Sequence, residues 1–165
     1  MDFFETIQKR RSIRKYTGDP IPRSDLEKIV DAGRLAPSGS NRQPWDFIVV
    51  TERALIQHLS KAGEWSADAG AMIVVVMDPS SKYWIEDGSA AIENMLLAAT
   101  ALGYGACWLQ GNAIPHESEF KLLLNIPEHL KLLTLIPIGG VAEQPITKEK
   151  KLLDDVLHWE TYKNQ

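Results

Sequence analysis

The chain has 165 residues, a hydrophobic fraction of 44% and a formal net charge of −4, which suits one domain over residues 1–165 and gives no general attraction to nucleic acid or to an anionic membrane. The single cysteine, Cys107, excludes an intrachain disulfide framework and a cysteine-rich metal site, so the composition favours a reducing, cytoplasmic location. The acidic N-terminus lacks the basic region of a signal peptide, and no apolar run reaches the roughly 20 residues that span a bilayer.

The N-terminal part of the chain predicts two helices joined by an extended segment. Residues 3–9 favour a short helix, and the glycine and prolines within residues 10–22 then favour extended or turning backbone. Ser24 followed by Glu27 is a capping-box pattern, with apolar residues recurring behind it at helical spacing. We therefore expect a second helix over residues 24–36.

The central part of the chain predicts strands and one long helix. Turn-forming residues over 37–44 lead into an apolar run at 45–50, which predicts a loop followed by a strand. The runs at 71–77 and 131–138 are almost wholly apolar, as is typical of strands covered on both faces. The alanine-rich segment 89–102 predicts a helix that is apolar on most sides and is therefore buried in a core or in a subunit interface.

The end of that helix and the mixture of elements indicate the fold class. Gly103 is placed to end the helix, and residues 105–109 predict one more strand. Helices and strands are mixed without strict alternation, so we expect an α+β fold with a central, mainly antiparallel sheet flanked by helices. A helix too apolar to stay exposed on so small a domain also predicts a homodimer.

Several kinds of site are excluded by the sequence. The segment 103–108 fails the dinucleotide-binding fingerprint, because its last position is tryptophan and because it follows a helix. The four histidines lack the paired spacing of metal ligands, so no metal site is expected. Cys107 stands between apolar residues without an adjacent base, and we interpret it as core packing.

A basic cluster stands at the start of the extended segment. Arg10, Arg11, Ser12 and Arg14 lie within five residues. Guanidinium groups offer planar, bidentate donors to phosphate oxygens, and serine adds an uncharged donor. The pattern indicates a phosphate-binding loop, and the alternative that this stretch alone leaves open is a solvated basic patch.

A second polar set immediately precedes the first strand. It consists of Ser38, Ser40, Asn41 and Gln43. The two amides each carry donors and an acceptor, which match the mixed edge of a heteroaromatic ring such as the flavin pyrimidine. Taken alone, the same residues also fit an ordinary turn.

Together and in this order, these features resemble the short form of the nitroreductase family. The resemblance covers nearly the whole chain, and its landmarks are Arg10–Arg14, Ala36–Trp45, Gly103–Trp108, Ile138–Gly140 and Lys148–Lys151. The middle landmark, before the first strand, is the most specific.

The resemblance implies an α+β dimer that holds FMN between its subunits and takes electrons from NAD(P)H. On one subunit the implied cofactor-binding residues are Arg10, Ser12 and Arg14, with Arg11 beside them. On the other they are Pro37, Ser38 and Ser40, with Asn41 and Gln43 near the flavin. By position, the backbone of Gln110 and Gly111 matches the segment that meets the flavin ring, and Lys148 and Lys150 match a basic pair that helps to hold the phosphate.

The activity that the resemblance implies is a ping-pong oxidoreductase. Its acceptor would be a small electron-poor molecule, namely a nitro compound, a quinone or a flavin, that uses the same face of the flavin as the donor. Arg14 is the candidate cation for the charge of the reduced ring. Gln110 stands where many members have Glu, and lysines replace a frequent arginine near the C-terminus, which bears on acceptor preference.

Two alternatives to the enzyme stay open. One is a flavin-binding module that stores or senses FMN without useful turnover. The other is an unrelated anion-binding domain, which would purify without colour.

Overall fold

The structure is a computed structural model that describes residues 1–146 and 148–162. Its helices are α1 (Phe3–Lys9), α2 (Arg23–Arg34), α3 (Arg53–Leu59), α4 (Trp84–Ala101), α5 (Glu117–Leu123) and α6 (Leu153–Val156). Its strands are β1 (Trp45–Val50), β2 (Ala71–Met77), β3 (Gly105–Ala106) and β4 (Lys131–Gly139). The predicted limits of α1, β1 and β2 are confirmed, and β4 is one residue longer than predicted.

The four strands form one sheet in the order β1-β2-β4-β3, and every neighbouring pair is antiparallel. At one end of the sheet Trp45 lies opposite Met77, which lies opposite Lys131. At the other end Gly105 of the edge strand β3 lies opposite Gly139. The expected α+β class with a mainly antiparallel sheet is confirmed.

Helices cover both faces of the sheet. All seven residues of β2 are buried, as expected for a strand with no solvent-facing side. Alternate residues such as Ile73 and Val75 pack with α2 and α4, while Met72 and Val74 pack on the opposite face with α3 and α5. This three-layer arrangement leaves β1 and β3 as the edges of the sheet.

The long helix α4 packs on the sheet through its own chain's core. It begins five residues before the predicted start, and Met95 and Ala99 on its inner face are fully buried. At its end Gly103 has φ 88°, Tyr104 N–H donates to Ala99 O at 2.9 Å, and Gly103 N–H donates to Thr100 O at 3.0 Å. The predicted glycine stop is therefore confirmed as a Schellman motif.

Two predicted details differ from the structure. Helix α2 spans Arg23–Arg34 rather than 24–36, and its N-cap residue is Pro22, which offers no side-chain cap. Ser24 therefore lies inside the first turn, and Glu27 accepts a hydrogen bond from Arg23 Nε at 2.8 Å instead of closing a capping box. The strand predicted over 105–109 is interrupted, because β3 ends at Ala106. Cys107 N–H donates to Pro137 O at 3.3 Å, but Pro137 has no N–H to return a bond, and pairing with β4 resumes in the same register at the bridge between Leu109 and Leu135.

Within the described residues no helix is both long and apolar enough to cross a membrane.

Candidate functional site

The basic segment 10–14 runs beside the edge strand β3. Ser12 forms a parallel bridge with Ala106, and Ile13 N–H donates to Ala106 O at 3.0 Å. The Ile13 side chain is buried in a small cluster with Tyr16. Because extended backbone turns successive side chains to opposite sides, burial of Ile13 leaves the even-numbered residues on the other side of the segment.

The basic side chains of the two ends of the chain line one cavity of about 240 Å³, here called the basic cavity. Its lining residues are Arg10, Arg11, Ser12, Arg14, Pro145, Ile146, Lys148 and Lys150. The chain after β4 reaches this place because it pairs with the segment that follows Arg14: Thr17 N–H donates to Gly140 O at 3.0 Å, and Ala142 N–H donates to Lys15 O at 3.1 Å.

The basic cavity carries a large excess of positive charge. The cavity has five cationic side chains. In the described part of the chain these make one ion pair, between Arg10 Nε and Glu93 Oε1 at 3.4 Å. Arg11 differs from the others, since its Nη1 donates to Gln8 O at 2.6 Å and to Arg10 O at 2.8 Å. It also borders a second cavity of about 400 Å³, together with Ile13. Arg11 is therefore bound to its own backbone between two cavities.

Arg14 lies over an aromatic ring that the sequence analysis did not single out. Its guanidinium carbon is 5.6 Å from the ring centroid of Trp65, which is within cation–π range. Trp65 belongs to a short 3₁₀ turn, Glu64–Ser66, and is half-buried between two core clusters. The residues are 51 positions apart in the sequence, so no local pattern connects them.

The groups buried next to the basic cavity stay neutral. Burial raises the pKa of the Cys107 thiol, and the nearby Arg14 guanidinium and Ser12 hydroxyl offset only part of that rise. Burial likewise raises the pKa of Tyr16, whose hydroxyl donates to Ile13 O at 2.7 Å. Cys107 is buried, as expected, and neither group adds a negative charge that would compete with a bound anion.

The polar loop, residues 37–43, is held in an unusual backbone conformation. Ser40, Asn41 and Gln43 have φ values of 52°, 55° and 51°. The left-handed region costs an L-residue about 1–2 kcal/mol. All three side chains are exposed, so packing does not compensate this cost. Strained, exposed polar residues cluster at functional sites.

Gln110 and Gly111 lie in the turn after Leu109, which bridges to Leu135 on β4. Trp108 Nε1 donates to Gln110 Oε1 at 2.9 Å, so the glutamine side chain is held beside the indole. Gly111 is exposed.

The structure brings the basic residues together but keeps the polar loop away from them. The polar loop precedes β1 at the Lys131 end of the sheet, whereas the segment 10–14 lies beside β3 at the Gly139 end. The nine residues of β4 separate these ends by about 25 Å, and β1 and β3 are three strand spacings, about 14 Å, apart. Within one chain the two sets therefore lie at diagonally opposite corners.

A family model and a relative of this chain identify one family. The model of the nitroreductase family matches residues 7–76 and 58–140, which is more than half of the chain. A relative from Archaeoglobus fulgidus, named "Putative NADH dehydrogenase/NAD(P)H nitroreductase", is 44% identical over 144 residues, covering 81% of this chain and 82% of the relative.

Solved structures give the same result. An FMN-dependent nitroreductase from Clostridium difficile R20291 superimposes with a TM-score of 0.88 at 29% identity, covering 97% of this chain and 100% of the other. A nitroreductase with bound FMN from Bacteroides fragilis NCTC 9343 superimposes with a TM-score of 0.82 at 28% identity, covering 94% and 97% of the two chains.

Proposed function

This chain belongs to the nitroreductase family, and from that membership we propose that it is an FMN-dependent oxidoreductase that passes electrons from NAD(P)H to a small electron-poor acceptor. The observation that carries the proposal is the basic cavity, in which Arg10, Ser12 and Arg14 meet Lys148 and Lys150 from the far end of the chain. A family relative and structural neighbours whose names include NAD(P)H and FMN support the same assignment.

The basic cavity fits the phosphate of FMN. Arginine and lysine donors from two segments surround a volume suited to a small anion, and Ser12 adds an uncharged donor. Among the five cations of the basic cavity, Arg10 is the one that is paired with a carboxylate in the described part of the chain. The excess positive charge of the cavity therefore favours a dianion. We therefore assign phosphate binding to Arg10, Ser12, Lys148 and Lys150, and assign Arg14 to the charge of the reduced ring.

The flavin ring would contact the polar loop of a second copy of the chain. The side chains of Asn41 and Gln43 are exposed and free to meet a ring edge, with Pro37, Ser38 and Ser40 beside them. The polar loop and the basic cavity lie at opposite ends of the sheet within one chain, which favours a site shared between two chains. We infer that the working form is a homodimer in which each site takes its basic cavity from one subunit and its polar loop from the other.

FMN would supply the two-electron redox chemistry between NAD(P)H and the acceptor, which would use the site in turn in a ping-pong cycle. The protein binds and orients this group. Arg14, which lies over Trp65, would offer a positive charge to the reduced flavin ring. Gln110 and Gly111 offer backbone groups from the turn after β3. A nitro compound, a quinone or a flavin fits the proposed acceptor class. The single buried Cys107 is compatible with the expected cytoplasmic location.

The proposal is tested by the visible spectrum of the purified protein, followed by anaerobic mixing with NADH or NADPH. A yellow protein whose flavin absorbance bleaches rapidly, and returns when a quinone or nitro compound is added, supports the enzyme. A flavin spectrum that NADH and NADPH leave unchanged over minutes would support a storage or sensing module instead. A colourless protein that takes up no FMN would indicate an unrelated anion-binding domain.

A further inference from the structure

The polar loop needs an anchor, because its strained conformation is not held by burial of its own side chains. Within the polar loop, Gln43 N–H donates to Ser38 Oγ at 3.0 Å and Asn41 N–H donates to Ser38 O at 2.9 Å. Both bonds join residues of the loop to each other. They shape it without fixing its place on the protein.

A buried carboxylate supplies a contact from outside the polar loop. Asp87, in the first turn of α4, is only 5% exposed, and its Oδ1 accepts a hydrogen bond from Gly39 N–H at 2.9 Å. The two residues are 48 positions apart. Buried polar groups are almost always hydrogen-bonded, and this bond joins the polar loop to α4.

The position of Gly39 is also restricted by an aromatic ring. A Cβ atom at this residue would lie 2.7 Å from Cδ2 of the Tyr83 ring, so only glycine lets the polar loop come this close to the start of α4. The second carboxylate oxygen of Asp87, Oδ2, is buried without a hydrogen-bond partner. The protein thus keeps an unsatisfied buried acceptor, which is costly, at the place where the loop is attached, and such a cost calls for an explanation in terms of function.

We propose that Asp87 is a positioning residue for the cofactor: it holds the polar loop in its strained form, so that Asn41 and Gln43 are preset to meet the flavin. The inference rests on the proposed function, and it adds a residue that makes no contact with the ring itself. When Gly39 is held, the left-handed residues that follow are already in place before binding. FMN binding then does not have to order the loop, so the conformational entropy of that ordering does not weaken the binding free energy.

The test uses the FMN-free protein first. The rate of amide hydrogen exchange at Gly39, measured by NMR, reports directly on the hydrogen bond between Gly39 and Asp87. Asp87→Ala should speed this exchange about tenfold or more, whereas Asp87→Asn, which keeps an acceptor oxygen, should stay within a few-fold of the wild type. Glu86→Gln is the matched control, because Glu86 is exposed in the same helical turn and also contributes a negative charge there.

FMN titration of the same proteins is the second readout. Asp87→Ala should bind FMN about tenfold more weakly, with Asp87→Asn and Glu86→Gln close to the wild type. Thermal unfolding separates this effect from general damage, and Asp87→Ser, too short to reach Gly39, replaces Asp87→Ala if the alanine variant does not fold.

Unchanged exchange at Gly39, or faster exchange with unchanged FMN affinity, would overturn the proposal. Equal loss of affinity in Asp87→Asn and Asp87→Ala would overturn it too, since charge rather than the bond to the loop would then be responsible. A wild type that binds no FMN would refute the proposed function, and the exchange rates would still decide whether Asp87 holds the loop.

Discussion

Arg10 and Arg11 are neighbours in the sequence, yet their guanidinium groups have different surroundings. Arg10 lines the basic cavity and forms an ion pair with Glu93, whereas Arg11 donates to two backbone carbonyl groups. We therefore expect Arg10→Ala to weaken FMN binding about tenfold to a hundredfold, the value of a lost charged hydrogen bond, and Arg11→Ala to weaken it less. Titration of the two apo-protein variants with FMN measures both. Equal losses at the two positions would contradict the separate roles.

Arg14 is expected to set the redox potential of bound FMN in addition to its affinity. A cation near the ring favours the form with more negative charge, so Arg14→Gln should lower the two-electron reduction potential by about 30 mV for each ~1.4 kcal/mol of lost differential stabilisation. The measurement is a redox titration of the FMN-saturated variant against a reference dye. Arg11→Gln, which removes a charge of the same kind outside this contact, serves as control. An unchanged potential would leave Arg14 with phosphate binding alone.

Glu119 makes the stability of the protein depend on pH at a place remote from the basic cavity. Hydrogen bonds from Lys61 and His58 lower its pKa from 4.5 to about 2. A carboxyl group whose pKa is depressed in the folded state contributes stability above its unfolded pKa, and this contribution is lost as pH falls from about 4.5 towards 2. Urea unfolding should show Glu119→Gln less stable than the wild type at pH 7, with the difference shrinking at pH 3. A difference that stays constant would refute the coupling.

At the level of elements, α1 leaves apolar side chains uncovered. Phe3, Phe4 and Ile7 are all exposed, Phe4 by 74%. Apolar clusters of this kind on a small domain mark a contact surface. We predict that α1 lies in the dimer interface and that Phe4→Asp shifts the protein towards monomer in sedimentation experiments. Lys9→Gln, which changes the net charge by the same amount at an exposed position on the opposite side of α1, should leave the dimer intact.

Helix α4 shows which structural properties can be predicted from the sequence and which cannot. Its apolar composition predicts burial but does not say whether the covering surface comes from the same chain. The structure answers for the inner face: Met95 and Ala99 are fully buried in their own chain's core. Helices α3, α5 and α6 were not among the predicted elements, whereas the limits of α1, β1 and β2 were predictable because apolar periodicity is local. The end of β3 was not, because it depends on Pro137, a partner about 30 residues away.

The candidate site also has residues that the sequence predicts and residues that it does not. The sequence places Arg10, Ser12 and Arg14 on one side of an extended segment through simple alternation. It contains no signal for Trp65 under Arg14 or for Asp87 behind Gly39, since these contacts join distant segments. The positions proposed to contact the cofactor follow motifs, whereas the residues that support those positions depend on tertiary packing.

At the level of the whole molecule, the diagonal placement of the two residue sets predicts complementation between damaged subunits. One variant, Arg10→Ala with Ser12→Ala, loses the basic cavity, and the other, Asn41→Ala with Gln43→Ala, loses the polar loop. Each homodimer should bind FMN poorly. After the two are unfolded and refolded together, about a quarter of all sites should recover, because half of the dimers are mixed and each of these has one intact site. No recovery would place the whole site within one chain.

The diagonal arrangement also ties the cofactor to the concentration of the protein. If each half-site alone binds FMN weakly, every bound flavin adds to the free energy of association of two chains, and every association raises the affinity for flavin by the same factor. On dilution the dimer would then dissociate and release its bound flavin in the same transition. A cell that runs short of flavin would hold this protein as separate chains, so the supply of the cofactor would act as the control of assembly.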